Sequence, residues 1–266
     1  MRKVIFVLLF TCSLFQTFAQ PLDGIVKREI LAEKMPMQHQ SLREADILWE
    51  KKIWQIIDVR EKQNQPIMFP ERPLFEIITN AIEAEELTAY STENDKFTKP
   101  LLPEEVHSVL YRIDTVVLWE PETYDEQVQV VETGTYNEDI QRFRTKEVWF
   151  FNSKTSEMDV RIIGIAPMKN VEDDGGNFLY EQPLFWIYFP ELRSILAKEQ
   201  VFNSNSISQT SWDDWFEQRR FSATVFKENN VLDRRLKDYL VGMELLTEAG
   251  KIKSEIFNFE QDVWSR

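Results

Sequence analysis

The chain of 266 residues contains little of what catalytic and cofactor sites are usually built from: it has one cysteine, two histidines and seven glycines. Cys12 lies in an apolar N-terminal stretch, so removal of that stretch would exclude disulfides, thiolate metal sites and a cysteine nucleophile. His39 and His107 are far apart, whereas a zinc site or a serine triad needs histidine beside further ligands or an orienting acid. Only Gly175 and Gly176 are adjacent, so no phosphate-binding loop is present. The sequence therefore indicates no catalytic residues, no metal site and no cofactor.

Residues 1–19 have the features of a secretory signal peptide. Arg2 and Lys3 precede an apolar run, and the small residue Ala19 lies near the expected cleavage point. The run is shorter than the about 20 apolar residues that a membrane span needs, and no later stretch comes closer. The residues before the cysteine also lack the pattern of a lipoprotein signal. We therefore expect an exported, soluble protein with its domain over 20–266, and an export signal on a chain left without cysteine fits a bacterial periplasm.

Basic residues are scarce relative to acidic ones. The chain has 31 Lys and Arg against 45 Asp and Glu, for a formal net charge of −14. Loss of the leader with Arg2 and Lys3 makes the mature protein still more acidic. Nucleic acid and anionic lipid are therefore poor partners. The 43% of hydrophobic residues is sufficient for a sizeable core.

The segment 41–63 has the spacing of an amphipathic helix. Ser41 and Glu44 have capping-box spacing, and apolar residues then recur at intervals of three and four. A second helix is predicted over 73–87, where a proline stands at the favoured first helical position. We therefore expect residues 41–90 to be helical.

Residues 105–190 have the composition of strands. Several stretches are rich in β-branched and aromatic residues and are separated by polar turns. They read SVLYRIDTVVLW, EQVQVV, KEVWFF, DVRIIGIA and PLFWIYF. We predict that they form one mostly antiparallel sheet. KEVWFF and DVRIIGIA, joined by NSKTSEM, are the best candidates for a hairpin.

Helical spacing returns over 191–266. Apolar residues favour a helix after Pro190, another near 231–241, and a last one that carries Ile252, Ile256, Val263 and Trp264. Strands that are grouped between helical regions favour an α+β fold over a doubly wound parallel fold. The expected architecture is a mostly antiparallel central sheet flanked by N-terminal and C-terminal helices.

The stretch TSWDDWFEQRRF, residues 210–221, concentrates aromatic and charged side chains. Ser211 and Asp214 have the spacing of a helix cap. The helix they begin would carry three aromatic rings and an arginine on one face, either packed into the core or partly exposed to a partner protein, where tryptophan and arginine contribute most binding energy. The candidate partner-binding residues are Trp212, Trp215, Phe216, Arg219, Arg220 and Phe221.

Acidic residues offer two alternatives to a role in assembly. Asp213 and Asp214 fall in the first helical turn, where the helix dipole favours them, but adjacent helical positions point about 100° apart. An exported hydrolase would need one of them to converge with a distant glutamate in an open cleft. In EDDGGN, the side chains of Asp173, Asp174 and Asn177 offer oxygen ligands to calcium, although the stretch lacks the ligand spacing of an EF-hand loop. A polar turn is the other interpretation of this stretch.

Three long segments resemble the GldN family, called PorN in non-gliding relatives, of gliding-motility and type IX secretion proteins of Bacteroidetes. They are LWEKKIWQIIDVREKQNQP (48–66), FWIYFPELRSILAKEQVFN (185–203) and SWDDWFEQRRFSATVFKENNVLDR (211–234). The similarity spans essentially the mature chain and includes the leader and the ending near EQDVW.

The resemblance implies a periplasmic, non-enzymatic subunit of the type IX secretion apparatus. Members of the family bind an outer-membrane lipoprotein, GldK or PorK, and build large rings with it at the inner face of the outer membrane. They also contact the periplasmic part of the motor formed by GldL and GldM, whose counterpart in relatives is PorM. The family has no catalytic residues to transfer to this chain. The aromatic face of 210–221 is an expectation from the residues alone.

Overall fold

A computed structural model of the chain describes residues 33–119, 126–172, 177–203 and 209–264. The predicted signal peptide with Cys12 lies outside these ranges, as do Asp173 and Asp174 of the calcium alternative. Within them the chain has the expected α+β class, with helices packed on a mostly antiparallel sheet.

The strands form two sheets. In chain order they are β1 Ile47–Asp58, β2 Ala89–Tyr90, β3 Pro100–Leu101, β4 Tyr111–Trp119, β5 Glu126–Gly134, β6 Arg142–Asn152, β7 Glu157–Glu172, β8 Phe178–Pro183, β9 Trp186–Tyr188 and β10 Thr224–Glu228. The main sheet of eight strands has the order β10-β1-β6-β7-β9-β2-β3, with β8 paired to β7. β4 and β5 pair with each other in a second sheet and with no other described strand. The mostly antiparallel main sheet is thus confirmed, whereas the expectation of one sheet for all strand stretches is wrong.

The described helices are α1 Leu74–Glu83, α2 Pro103–Leu110, α3 Phe189–Leu196, α4 Trp212–Glu217 and α5 Met243–Trp264. The helix predicted over 73–87 is confirmed as α1, which buries six apolar side chains along one face. The leucine, isoleucine and phenylalanine side chains among them each contribute about 1.5–3 kcal/mol when fully buried. The helices predicted after Pro190 and at the C-terminus are confirmed as α3 and α5. α2 was not predicted, and it occupies residues that include the start of an expected strand.

β1 lies where the spacing predicted a helix over 41–63. Ile53 and Ile57 are buried on the face of the sheet that the helices cover, and Trp54 is buried on the opposite face. Because both faces carry apolar residues, the alternation of a half-buried strand is obscured, and the same positions also fit intervals of three and four. Backbone pairing with β6 on one side and β10 on the other holds the strand. The predicted helix is therefore wrong, and the density of isoleucine was the signal for a strand.

The helix predicted near 231–241 is also wrong. The segment contains one short 3-10 turn, Leu236–Asp238, while Val231 and Leu232 are exposed. Asp233 has a φ of +52°, a left-handed conformation that does not continue a right-handed helix. Just before this segment, β10 adds an edge strand within a region that was expected to be helical throughout.

The predicted hairpin of KEVWFF and DVRIIGIA is confirmed as β6 and β7. The two strands pair from Asn152 opposite Glu157 to Arg142 opposite Met168. Their register shifts between Lys146 and Glu147, which marks a β-bulge. This bulge lies in the middle of the sheet, and the carboxylate of Glu147 faces the helices beside it.

Helices cover one face of the main sheet in two groups. α1, α3 and α4 form the α4 region, a large apolar cluster with the sheet and adjacent loops. α5 covers the rest of this face and forms the smaller α5 region, whose buried apolar members are Ile53, Val225, Leu236, Ala249, Ile252 and Ile256. The two regions meet where α4 ends.

The opposite face of the sheet is partly covered by the loop 91–99. Phe97 from this loop packs edge-on against Tyr90 and Trp186, with ring centroids 5.6 and 6.2 Å away. Gly164 makes this packing possible, because a Cβ at that position would come within 2.5 Å of the Phe97 ring. The loop therefore covers a third apolar cluster, which lies on this face of the sheet.

Candidate functional site

α4 begins and ends with standard capping interactions. The hydroxyl of Ser211 accepts a hydrogen bond from the N–H of Asp214 at 3.2 Å, which confirms the predicted cap. At the other end, the N–H of Arg219 donates to the carbonyl of Phe216, and the N–H of Arg220 donates to that of Trp215, both at 3.0 Å. This is a Schellman motif, in which Arg219 adopts a φ of +50°. This left-handed conformation is uncommon for a residue other than glycine.

The aromatic face of α4 is in the core. Trp212, Trp215 and Phe216 are 1%, 4% and 1% exposed, and Phe221 is also buried. The ring centroids of Trp212 and Trp215 are 5.2 Å apart in an edge-on arrangement, and Phe216 packs edge-on against Phe189 of α3 at 5.2 Å. Such pairs add about 0.5–1.5 kcal/mol beyond the burial of their area. Of the two interpretations of this face, burial is the one observed, because the rings pack in the core and connect α3 with α4.

The two arginines of the predicted site, Arg219 and Arg220, differ in their exposure to solvent. Arg219 is half-buried and pairs with Glu147 of β6, with Nη1 and Oε2 3.1 Å apart. Its guanidinium also lies 5.0 Å from the ring centroids of both Trp149 and Phe221. Arg220 is exposed. Of the six candidate residues, only Arg220 therefore presents its side chain mainly to solvent.

The adjacent aspartates of α4 have separate partners. Asp213 is buried, and Arg193 of α3 donates to both of its carboxylate oxygens at 2.7 and 3.2 Å. Asp214 accepts hydrogen bonds from the Ser211 hydroxyl and the Lys34 ammonium. The two carboxylates do not converge on one point. Asp213 joins two helices, and Asp214 completes the cap.

The segment 33–40 lies across α3 and α4 and is held there by polar contacts. Besides the ammonium of Lys34 on Asp214, Arg193 Nη2 donates to the carbonyl of Met37 at 2.8 Å, and Arg161 Nη2 donates to that of Gln40 at 2.7 Å. Met37 itself is exposed. Sequence reasoning missed this segment, because it contains neither an apolar period nor a motif.

The pKa values of two ionisable groups where this segment meets α4 are shifted in opposite directions. Burial raises the pKa of Glu217, and burial together with the charge of Arg193 lowers the pKa of His39. Both shifts favour the neutral forms, so their contact at 3.4 Å is a weak ion pair. For Asp214, burial acts to raise the pKa, but hydrogen bonds from Lys34 and Ser211 outweigh it and lower the pKa. The ionised carboxylate of Asp214 therefore anchors the Lys34 end of the segment.

Glu147 at the β-bulge is fully buried and accepts hydrogen bonds from four side chains. Gln55 Nε2 of the neighbouring strand β1 donates at 2.9 Å, and Trp149 Nε1 and Thr145 Oγ1 of β6 itself donate at 3.1 and 3.2 Å. Arg219 supplies the fourth donor and the positive charge. A buried carboxylate is tolerated only when it is paired and hydrogen-bonded in this way. The signal in the sequence was a charged residue at an inward position of a predicted strand.

Neither His107 nor any group of possible metal ligands forms a site among the described residues. His107 is exposed on α2, with its ring 4.4 Å from that of Tyr111. Among the residues that the structure describes, no group of three or more His, Cys, Asp or Glu side chains is arranged to hold a metal ion. None of the described helices is both long and apolar enough to cross a membrane.

The chain is thus an α+β protein in which ion pairs with buried carboxylates connect helices to each other and to the sheet. The family model described as "Gliding motility associated protein GldN" matches residues 42–265. This match covers most of the chain, so the chain belongs to the GldN family and to the gliding-motility and type IX secretion components that the family comprises. No curated protein matches the chain.

Proposed function

We propose that the chain is a non-enzymatic structural subunit of the type IX secretion and gliding machinery in the periplasm. In this role it docks onto a GldK-like or PorK-like lipoprotein at the inner face of the outer membrane and forms a ring with it. It also contacts a GldM-like or PorM-like component of the motor. Membership of the GldN family, by a match over residues 42–265, is the observation that carries this proposal.

The chemistry of the carboxylates supports a structural role. Asp213 is neutralised by Arg193, and Glu147 by Arg219, inside the fold. The carboxylate of Asp214 accepts hydrogen bonds from the Ser211 hydroxyl and the Lys34 ammonium. A general acid or base must reach a substrate proton, and these groups are committed to internal donors instead. No observation favours the exported hydrolase considered from the sequence.

An affinity pull-down from envelope extract tests the proposed partners. Full-length protein with a C-terminal tag, expressed in its own host, should copurify a lipoprotein of the GldK or PorK kind as the main partner, with a GldM or PorM component in smaller amount. Fractionation should place the tagged protein in the periplasm with the outer membrane. Recovery without either partner, or in the cytoplasmic fraction, would contradict the proposal.

Of the six candidate partner-binding residues, Arg220 beyond the end of α4 is the one that we assign to the docking surface, because its side chain is exposed. Arginine is enriched where interfaces concentrate binding energy, and the backbone N–H of this one closes the Schellman motif. Replacement Arg220→Glu should reduce recovery of the lipoprotein at least about fivefold without a change in melting temperature. Arg234→Glu, at another exposed arginine, is the matched control and should leave recovery unchanged. Equal recovery with both variants would remove Arg220 from the interface.

A further inference from the structure

A cavity of about 290 Å³ lies between the main sheet and α5. Gln55 of β1 and Trp149 of β6 line one side, and Lys253 and Phe257 of α5 line the other. Phe257 is 60% exposed, so the cavity opens to solvent beside this helix. Small-molecule sites in proteins start at about 300 Å³, and this cavity is close to that size.

The walls of the cavity are mainly apolar. Ile53, Met158, Phe221, Ala223 and Ile256 line it together with the ring of Trp149, and Arg219, which pairs with Glu147, completes the lining. An aliphatic or aromatic group that enters such a cavity leaves water. The binding free energy becomes more favourable by about 25 cal/mol per Å² of apolar surface buried. Few polar groups reach the cavity, and each of them restricts what can bind.

The first polar group is the amide of Gln55. Its Nε2 donates to Glu147 at 2.9 Å, which fixes the orientation of the amide, because a carboxylate accepts and does not donate. Gln55 is 2% exposed, and its Oε1 has no hydrogen-bond partner among the described residues. A buried acceptor without a donor costs about 1–3 kcal/mol. A ligand that brings an N–H group would satisfy it.

The second polar group is the ammonium of Lys253. It donates to the backbone carbonyl of Ala223 and has no carboxylate within salt-bridge distance in the described chain. Arg219 and Glu147 pair with each other, and Glu61 acts on Lys253 only from beyond salt-bridge distance, so the ammonium has no directly paired carboxylate. Burial, with a further contribution from Arg219, lowers the pKa of Lys253, as expected for an incompletely paired cation. A carboxylate on a ligand would compensate this charge.

We propose that this cavity binds an apolar N-acyl amino acid group. Its side chain packs between Trp149 and Ile256, its carboxylate pairs with Lys253, and its amide N–H donates to Gln55 Oε1. Free acylated amino acids and the last residue of a peptide both have this chemistry. The site is independent of the proposed docking of the chain on a lipoprotein.

Titration of the purified full-length protein with N-acetylphenylalanine, followed by calorimetry and by ligand-observed NMR, tests the proposal. Saturable binding with a dissociation constant on the order of 1 mM or below is expected. N-acetylphenylalanine amide, which lacks the carboxylate, and 3-phenylpropionate, which lacks the N–H, should each bind at least about tenfold more weakly. Equal affinity for all three compounds, or no saturation, would overturn the proposal.

Matched variants of α5 locate the site. Lys253→Met keeps the length and apolar stem of the side chain and should weaken binding of the acid about tenfold while leaving the weak binding of its amide unchanged. Lys251→Met, at an exposed position of the same helix, is the control and should bind like the parent. Retained binding by the Lys253 variant, with an unchanged melting temperature, would place the ligand elsewhere and contradict the proposal.

A tetrapeptide that ends in phenylalanine with a free carboxylate separates the two sources of the ligand. If it binds as well as the acylated amino acid, the mouth of the cavity accepts a chain terminus. If only the small acid binds, the proposal holds for free acylated amino acids alone. If the peptide binds equally when its carboxylate is amidated, recognition does not use Lys253 and the proposal fails.

Discussion

The α4 region and the α5 region cover the same face of one sheet, but they are packed differently. In the α4 region, the rings of Trp212, Trp215 and Phe216 contact one another with centroids 5.0 to 6.2 Å apart. In the α5 region, a cavity of about 290 Å³ remains beside α5. Each region borders an arginine–carboxylate pair, Arg193 with Asp213 and Arg219 with Glu147. The comparison indicates that the aromatic region provides stability, whereas the α5 region has room for a ligand.

The largest expected effect comes from opening the α4 region. Trp215→Ala should lower the free energy of unfolding by about 3–5 kcal/mol, since removal of a large buried aromatic side chain leaves a cavity that closes only in part. Urea denaturation followed by tryptophan fluorescence measures this change. Phe257→Ala, at an exposed position of the α5 region, should cost less than about 1 kcal/mol. Comparable losses for both variants would contradict the inference that the α4 region stabilises the fold more than the α5 region does.

The next largest effect concerns the pair between Arg219 and Glu147. Arg219→Leu should cost about 2–3 kcal/mol, because it leaves the carboxylate buried with three neutral donors but no cation. The double variant with Glu147→Gln should recover part of this loss, because the uncompensated charge is gone. Urea unfolding of the two single variants and the double variant gives the coupling energy. A coupling near zero would show that the ion pair does not stabilise the junction of the two regions.

A smaller effect is expected where the segment 33–40 meets the α4 region. Lys34→Met should cost about 0.5–1 kcal/mol at pH 7, as a partly exposed pair does. The pKa of Asp214 is lowered in the folded chain, so its contribution is present above the ordinary carboxyl pKa and is lost as pH falls through the folded value.

Urea midpoints of the parent and of Lys34→Met should therefore converge between about pH 5 and pH 2. The exposed Lys62→Met variant is the control, and its midpoint should follow that of the parent throughout. A difference between parent and Lys34→Met that persists at the lowest pH would show that Lys34 acts through packing and not through Asp214.

The smallest effect on stability is expected for Arg220→Ala at the exposed end of α4. Its free energy of unfolding should stay within about 0.5 kcal/mol of the parent, in contrast to the buried residues that precede it. The melting temperature measured by calorimetry checks this. A loss above about 1 kcal/mol would show that the side chain packs within the fold and would weaken its assignment to a docking surface.

Local patterns in the sequence were sufficient for several elements. The cap of Ser211 on Asp214 needs only residues three apart, and it was predicted correctly. The hairpin of β6 and β7 was identified because a short polar loop joins two stretches of strand composition. α1 combines a proline at its start with a clear apolar period. In each case the interactions that define the element lie close together in sequence.

Other features depend on contacts that are distant in sequence. β1 was assigned as a helix because its apolar residues serve two faces of a sheet that β6 and β10 complete only in the folded chain. The arginine partners of Asp213 and Glu147 come from other elements, and no local pattern identifies them. The aromatic face of α4 could have been buried or exposed, since only the position of α3 decides which.

The amino-acid sequence by itself determined the α+β composition, the acidic charge, the N-cap of α4 and the family to which the chain belongs. Only the tertiary structure decided that the tryptophans lie in the core, that Glu147 is buried at a bulge, and that a cavity remains under α5. The physical reason is how far apart in the sequence the interacting residues lie. Composition, helix caps and hairpin turns depend on near neighbours along the chain, whereas burial and charge pairing depend on which distant segments the fold brings into contact.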